Sequence, residues 1–310
     1  MKRVLLSVVA AAATLMSLSA HAEKIGVAMS AFDDNWLTVL RQSMSQRAAQ
    51  TPGVTLQFED AQTDVSKQLS QVQNFIAQKV DAIIINAVDT DATPKMTRMV
   101  AAAGIPLVYV NRVPTDKTLP SRVAFVGSKD YEAGTIQMTE VCKLMGGKGD
   151  ILVMMGDLAN QSARERTQAI KDVIAKPPCS GIRIADARSA GWMRTNAVDL
   201  MTNWLTTGLK FNAIVANNDE MALGAVQALK TARKLNNGMI VAGIDGTPDA
   251  LAAMKAGDLK VTVFHNAVAQ GADSVDEALK LVKNQKTEAM TWVPFGLVTQ
   301  SNVESYISRN

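Results

Sequence analysis

Polar side chains that can hydrogen-bond hydroxyl groups recur directly after the apolar runs of this 310-residue chain. A buried polar ligand needs such groups, because each unpaired buried donor or acceptor costs about 1–3 kcal/mol. Two tryptophans share the same placement, and a flat indole packs well on the C–H face of a sugar-like ring. The candidates are Asp33, Asp34, Trp36, Asn86, Asn111, Arg112, Arg164, Trp192, Asn218, Asp245 and His265. Together they indicate a carbohydrate or cyclitol ligand.

Each candidate also has a purely structural interpretation. The acidic and amide residues can cap helices or turns, the tryptophans can pack in a core, and His265 can be a structural histidine. Arg164 and Arg166 can form the solvated face of one helix, and we place Arg166 there. The shared position of the candidates after predicted strands is what favours binding for the set.

Patterns typical of catalysis or metal binding are missing from the sequence. It contains no Walker-type phosphate loop, no G-x-S-x-G motif and no histidine paired with a nucleophile signature. Two cysteines and two histidines give no metal-site spacing. In an oxidising compartment Cys142 and Cys179 can form one disulfide, which we favour over two unrelated buried thiols. We expect no enzyme activity, no cofactor and no metal.

Alternating strands and helices position the candidates. Continuous apolar runs predict buried strands and amphipathic runs predict helices, the pattern of a parallel sheet covered on both faces. The predicted strands are Ile25–Met29, Val54–Phe58, Ala82–Ile85, Leu107–Val110, Ile151–Met155, Ile182–Ala185, Ala213–Ala216 and Met239–Ile244. The predicted helices are Trp36–Ala48, Ser66–Ala77, Pro94–Ala103, Arg164–Ile174, Thr195–Thr206 and Met221–Thr231. Ligands bind beyond the carboxyl ends of such strands, where the candidates fall.

The repeat of this pattern predicts two doubly wound α/β lobes rather than one long sheet. The chain is long enough for two domains with separate cores. The tail from residue 266 onward is able to return to the first lobe. We assign residues 23–127 and 266–293 to the first lobe, and residues 128–265 and 294–310 to the second.

The first 22 residues have the form of a secretory signal peptide. Lys2 and Arg3 precede a short apolar stretch, and Ala20-His21-Ala22 has the form that signal peptidase cleaves. A membrane anchor is the alternative, but the stretch is too short and too rich in alanine and serine to span a bilayer. Loss of the two basic residues lowers the formal net charge from +3 to +1. This balance argues against nucleic acid or an anionic membrane as the main partner.

The chain resembles a known family, the periplasmic type I sugar-binding proteins of ABC transporters, and within that family it resembles the ribose- and galactose-binding group. The resemblance extends from Lys24 to about Thr299, nearly the whole mature chain. Its most specific segments are Asn217–Ala225 and Gly243–Pro248. Further matching segments are Asp33–Trp36, Ile85-Asn86, Asp89–Asp91 and Ser162–Arg166.

The resemblance implies two lobes joined by a three-strand hinge, closure around the ligand, and a membrane permease that recognises the closed form. It implies ring stacking at Trp36 and Trp192, and polar contacts at Asp34, Asn86, Arg112, Arg164, Asn218 and Asp245. Asn111 stands where ribose binders carry Asp, and His265 where they carry an amide. The segment Asn111-Arg112-Val113-Pro114 is similar to the inositol- and rhizopine-binding branch.

We therefore expect a monomeric periplasmic component of an ABC importer that captures myo-inositol or a related cyclitol. The alternative ligand is an aldose such as ribose or galactose. The alternative role is to present the ligand to a membrane signalling protein. The effector domain of a lactose-type repressor is a third interpretation, but such proteins begin with a DNA-binding helix-turn-helix where this chain carries a predicted signal peptide.

Overall fold

A computed structural model of the chain describes residues 22–235 and 238–309. The predicted signal peptide, residues 1–22, lies outside the described residues except for residue 22. None of the helices in the described ranges is long and apolar enough to cross a membrane.

Strands and helices alternate along the described chain. The strands are β1 (Glu23–Met29), β2 (Val54–Asp60), β3 (Ala82–Ile85), β4 (Leu107–Asn111), β5 (Val123–Gly127), β6 (Lys148–Met155), β7 (Gly181–Ser189), β8 (Ala213–Ala216), β9 (Ile240–Ala242), β10 (Val261–Phe264), β11 (Met290–Trp292) and β12 (Gly296–Thr299). The α-helices are α1 (Asn35–Ala49), α2 (Val65–Ala77), α3 (Thr93–Ala102), α4 (Asp130–Met145), α5 (Gln161–Ile174), α6 (Arg194–Thr206), α7 (Asp219–Thr231), α8 (Pro248–Lys255) and α9 (Ala267–Val282).

The strands form two six-stranded sheets, one in each lobe. The first sheet has the order β11-β5-β4-β3-β1-β2, and the second has the order β12-β10-β9-β8-β6-β7. Neighbouring strands are parallel except for β12, which pairs antiparallel with β10. The prediction of two parallel-sheet α/β lobes is confirmed.

Apolar side chains on both faces of each sheet form the cores. In the first lobe, Ile84 lies in the cluster that includes residues of α1, whereas its neighbours Ile83 and Ile85 lie in the cluster that includes Phe75 of α2. Successive side chains of a strand point to opposite faces, so a continuous apolar run fills two helix-covered cores at once. This requirement explains why the inner strands lack the polar alternation of a half-exposed sheet, whereas the edge strands β2 and β7 retain it.

The chain passes between the two lobes three times. The passages follow β5 at residues 128–129, follow β10 at residues 265–266, and join β11 to β12 at residues 293–295. Helix α9 therefore belongs to the first lobe, where it packs beside α1. The lobe boundaries proposed from the sequence, at 127/128, 265/266 and 293/294, fall at or within these passages.

A disulfide joins α4 to the turn before β7. Cys142 and Cys179 are bonded, with their Cα atoms 5.7 Å apart and a sequence separation of 37 residues. Both sulfurs lie in the core cluster on one face of the second sheet.

Removing this crosslink should destabilise the protein by about 3–4 kcal/mol, because the unfolded chain regains the entropy of a loop of this length. Urea unfolding of the Cys142→Ala/Cys179→Ala double variant measures the loss. As a control, reductant should lower the midpoint of the wild-type protein and leave the double variant unchanged. Equal midpoints for the two oxidised proteins would contradict this expectation.

Candidate functional site

A cavity lies between the lobes, at the carboxyl ends of both sheets. Its lining comes from post-strand loops and first helical turns of both lobes and from one interlobe passage. The lining residues are Asp34, Trp36, Leu37, Asn111, Arg112, Ser162, Arg166, Trp192, Asn218, Asp245 and His265.

The loop after β1 places a carboxylate and an indole at the cavity. Asp34 is the N-cap of α1, and its Oδ1 accepts from the backbone N–H of Leu37 at 2.8 Å. Trp36 donates from Nε1 to the backbone oxygen of His265 at 2.8 Å. The Trp36 indole and the His265 imidazole stack, with their ring centroids 4.2 Å apart. The indole is therefore held by a hydrogen bond and a stacking contact before any ligand binds.

The last residue of β4 adds an amide, and the residue after it adds a guanidinium. Arg112 donates from Nη1 to the backbone oxygen of Ala87 at 2.6 Å. Asn111 Oδ1 accepts from Asn86 Nδ2, and Asn86 Oδ1 accepts from the Ser30 hydroxyl. These hydrogen bonds fix the orientation of the Asn111 amide. Its Oδ1 faces Asn86, so its Nδ2 donor is directed away from Asn86.

In the second lobe, Arg166 is buried in a charge pair. Its Nε donates to Asp130 at 2.8 Å, its Nη1 donates to the backbone oxygen of Asn217 at 2.7 Å, and Asp245 Oδ1 lies 3.9 Å from Nη1. Gly134 lies one turn after Asp130 on α4, and a Cβ there would come within 2.5 Å of the Arg166 backbone oxygen. The missing side chain lets α5 approach α4 closely enough for this pair to form.

Two cavity-lining residues just before α6 and α7, Trp192 and Asn218, are joined by a hydrogen bond. Asn218 is the N-cap of α7, where its Oδ1 accepts from the Met221 N–H at 3.0 Å. Its Nδ2 donates to the backbone oxygen of Trp192 at 3.1 Å. The Trp192 ring lies 5.7 Å from the Arg166 guanidinium carbon.

Three lining residues have positive φ angles, namely Asn111 at 69°, Trp192 at 72° and Asp245 at 136°. L-residues other than glycine rarely adopt this conformation, and tryptophan is among the least suited to it. Strained backbone of this kind is concentrated at binding sites because surrounding contacts hold it in place. Asn111 is the last residue of β4, Trp192 and Asp245 follow β7 and β9, and all three line the shared cavity.

Burial changes the protonation preferences of the lining groups. Burial raises the pKa of Asp34, partly offset by the Leu37 N–H bond and then by Arg112. Burial also raises the pKa of Asp245 well above its usual range, partly offset by Arg166. Burial lowers the pKa of Arg112 to about 10. Burial also lowers the pKa of His265 well below its usual value, and the nearby Arg166 charge acts in the same direction.

The hydrogen bonds of His265 define its tautomer. Gln270 Nε2 lies 2.7 Å from His265 Nε2, and an amide nitrogen can only donate, so Nε2 of the ring accepts. The neutral ring then carries its proton on Nδ1. That atom is buried without a hydrogen-bond partner in the described structure, and Asp245 Oδ1 lies 3.6 Å away.

The lobes are in direct contact along both edges of the cavity. On one edge, Asn160 of the second lobe donates from Nδ2 to the backbone oxygen of Val88 in the first lobe at 2.6 Å. On the other edge, Asn35 donates to Glu220 at 2.8 Å. The structure therefore shows the two lobes in contact with each other beside the cavity.

Eight of the eleven residues predicted from the sequence line this one cavity: Asp34, Trp36, Asn111, Arg112, Trp192, Asn218, Asp245 and His265. Asp33 is exposed outside it, and Asn86 is buried behind Asn111. Arg164 lies on the rim, where it contacts the Leu158 backbone oxygen, Thr90 and Asp91.

The placement of Arg166 on a solvated helix face is wrong. Arg166 is 3% exposed and lines the cavity, whereas Arg164 does not. A signal in the sequence existed, because Arg166 is three residues after Ala163 and four before Ile170, and these three share a helix face. Ser162 was also missed; it lines the cavity and its Oγ is buried without a hydrogen-bond partner among the described atoms.

This arrangement suits a neutral, hydroxyl-rich ring. Asp34 and Asp245 supply acceptors, the two arginines supply paired donors, and each lobe contributes one indole. Within the described ranges, no group of three or more His, Cys, Asp or Glu side chains could hold a metal ion.

Comparisons with known proteins agree with this chemistry. The family described as a periplasmic binding protein domain matches residues 25–286. A putative rhizopine-binding protein of Rhizobium meliloti is 53% identical, over 97% of each chain. The ribose import binding protein of Salmonella typhimurium is 30% identical, over 95% of this chain and 96% of its own length. A solved ABC transporter solute-binding protein from Bacillus halodurans C-125, with bound myo-inositol, is 41% identical with a TM-score of 0.89, covering 95% of this chain and 100% of the other.

The neutral state of His265 predicts a pH effect on stability. Its pKa is lower in the folded protein than in the unfolded chain, so the unfolded chain binds a proton as the pH falls below about 6.5 and the folded protein does not. This group should therefore lower the free energy of unfolding by up to about 1.4 kcal/mol per pH unit as the pH falls below that point.

The His265→Gln variant isolates this contribution, because glutamine keeps a polar partner for Gln270 and does not titrate. We expect the stability of the ligand-free wild type to fall more than that of the variant between pH 7.5 and pH 5.5, measured by urea unfolding. Asp34, Asp219 and Asp245, whose pKa values are raised, act in the opposite direction in both proteins. Identical pH dependence in the two proteins would contradict the expectation.

Proposed function

The chain belongs to the periplasmic binding protein family, and on that premise we propose that it captures a cyclitol, myo-inositol or a close relative, by closing its two lobes around the ring. The resemblance to the ribose- and galactose-binding group, and to its inositol- and rhizopine-binding branch, is confirmed. The family and the relatives are solute-binding proteins, so the chain is a solute-binding protein and not an enzyme.

One observation carries the proposal: charged donors and acceptors line a cavity between the lobes, and each lobe contributes an indole to it. A cyclitol bears hydroxyl groups around its whole ring, so it requires hydrogen-bonding partners from every side. Asp34 and Arg112 from one lobe, and Asp245 and Arg166 from the other, offer them. A similar protein with bound myo-inositol supports the same ligand class.

A second candidate is a cyclitol that carries an amino group. Asp34 and Asp245 both line the cavity, and burial disfavours their ionised forms. An ammonium group on the ligand would stabilise either carboxylate. The similar Rhizobium meliloti protein is a putative rhizopine-binding protein, which supports including a rhizopine among the ligands tested.

For the cellular role, we propose a monomeric substrate-binding component of an ABC importer, exported by its signal peptide and recognised by an inner-membrane permease. The ABC transporter assignment of a similar solved protein supports this role. A sensory receptor that presents the ligand to a membrane signalling protein is the alternative. Genes for a permease and an ATPase beside the coding gene favour import, and a sensor kinase gene favours signalling.

Isothermal titration of the purified mature protein tests the ligand class. We expect micromolar or tighter binding of myo-inositol or an amino-inositol, and much weaker binding of D-ribose, D-galactose and xylitol. Tight binding of a pentose or hexose, with every inositol silent, would rule out the cyclitol proposal. Recovery of the ligand unchanged after incubation is expected of a binding protein.

Two matched substitutions test the position of the site. Arg166→Lys keeps the charge but loses the planar fork that spans Asp130 and Asn217, so binding should weaken by about 5- to 150-fold, equivalent to 1–3 kcal/mol. Arg164→Lys makes the same change on the rim, where the partly exposed ion pair with Asp91 contributes little, so binding should change less than threefold. If Arg164→Lys were the more damaging change, the cavity would not be the binding site.

A further inference from the structure

We propose that Asn160 is a positioning residue that couples the orientation of the Trp192 indole to closure of the lobes. The inference deepens the proposed function and rests on it. Asn160 does not line the cavity, but it stands between a residue that does and the edge where the lobes meet.

Both ends of the Asn160 amide are used, one in each direction. Trp192 donates from Nε1 to Asn160 Oδ1 at 2.8 Å, and Asn160 Nδ2 donates to the Val88 backbone oxygen at 2.6 Å. An indole N–H is only a donor and a backbone carbonyl is only an acceptor, so this amide orientation is the one that satisfies both. Asn160 is 1% exposed, so its amide has little contact with bulk water.

The indole has few alternative positions. A Cβ on Gly156 would lie 2.2 Å from Trp192 Cζ2, so the ring packs directly on the glycine backbone. The Trp192 backbone has a φ of 72°, and its oxygen is held by Asn218. The bond to Asn160 fixes the remaining freedom, which is rotation of the ring about its own side-chain bonds.

The same carbonyl region of the first lobe holds a second cavity-lining group. Arg112 Nη1 lies 2.6 Å from the Ala87 oxygen and 3.4 Å from the Val88 oxygen. Closure therefore brings the Asn160 amide to the backbone segment that already orients this guanidinium. The Asn160 amide, which holds the Trp192 indole, and the Arg112 guanidinium therefore donate to two adjacent backbone oxygens, those of Val88 and Ala87.

Further contacts make this edge the more extensive of the two. Thr90 donates from its N–H and its hydroxyl to the Ala159 oxygen, and its Oγ1 accepts from the Gln161 N–H and from Arg164. Ala159 and Gln161 flank Asn160 in the sequence, so both of its neighbours contact the first lobe. When the lobes separate along this edge, the Asn160 amide loses its hydrogen bond to Val88 and is hydrated instead. The Trp192 indole then keeps its bond to Asn160, but that side chain is free to rotate.

The consequence is that the indole is preorganised for stacking only when the lobes are closed. A ligand that stacks on Trp192 then favours the closed state over the open one, because its contact is complete only there. Loss of the bond to Val88 should mainly shorten the lifetime of the complex, since that bond forms after the ligand has entered.

The Asn160→Asp variant separates the two bonds, because its carboxylate still accepts from the Trp192 indole but cannot donate to Val88. We expect the Kd for myo-inositol to rise about tenfold, with most of the change in the dissociation rate and the association rate within threefold of wild type. Stopped-flow tryptophan fluorescence measures both rates. Asn203→Asp, the same change at an exposed position on α6, is the matched control and should bind as the wild type does.

A double-mutant cycle with Trp192→Phe, which removes the indole donor, tests the coupling. The combined loss of affinity should be at least threefold smaller than the product of the two single losses, because either change breaks the same connection. Wild-type affinity in Asn160→Asp, or multiplicative losses in the cycle, would overturn the proposal. A purely structural role would lower the melting temperature without changing the ratio of the two rates.

D-Ribose and D-galactose are titrated in parallel with myo-inositol. If the wild type binds an aldose and no inositol, the cyclitol proposal fails, but the same variants measured with that aldose still decide the role of Asn160. Melting temperatures of all variants in the absence of ligand show whether each is folded.

Discussion

The guanidinium of Arg166 is a charge held almost entirely out of water at the base of the cavity. An unpaired buried charge is so unfavourable that the surrounding chain must supply partners. Asp130, the Asn217 backbone oxygen and the more distant Asp245 supply them, and each comes from a different strand-to-helix segment of the second lobe or from the start of α4. The positions of these segments are therefore tied to one another, and the shape of this half of the cavity follows.

A second network connects the cavity to the passages between the lobes. Gln270 donates to both His265 and Ser128, and Ser128 donates to the Val293 backbone oxygen. These three partners lie one in each passage. His265 also stacks on Trp36 and contacts Phe295. The ring lines the cavity, contacts Phe295 of the third passage directly, and is linked to the first passage through Gln270. The cavity and the interlobe passages therefore share His265.

Much of the fold could be predicted from the sequence, because a strand buried on both faces must be apolar at every position. The inner strands β1, β3, β4, β6, β8 and β9 largely have this pattern, and the prediction found them. The edge strands β2 and β7 are partly exposed and alternate apolar with polar residues, and the prediction found them as well. The short strands β11 and β12 have three and four residues that are mostly half-exposed. These two strands pair only because the chain crosses back between the lobes, and a local sequence pattern does not predict such a crossing. Helices α4, α8 and α9 and the buried strands β5 and β10 were not predicted either.

The sequence by itself determined which loops converge, because the carboxyl ends of parallel strands lie at one edge of a sheet whatever the details of packing. Eight cavity residues follow from that rule alone. Only the tertiary structure decided what each side chain does there. The choice between Arg164 and Arg166 is a rotation of two residues around the axis of α5, set by its close contact with Gly134 of α4. Asn86 and Asn160 support neighbours because the nearest partners of a buried amide come from distant parts of the chain, and those partners exist only after the lobes have folded and met.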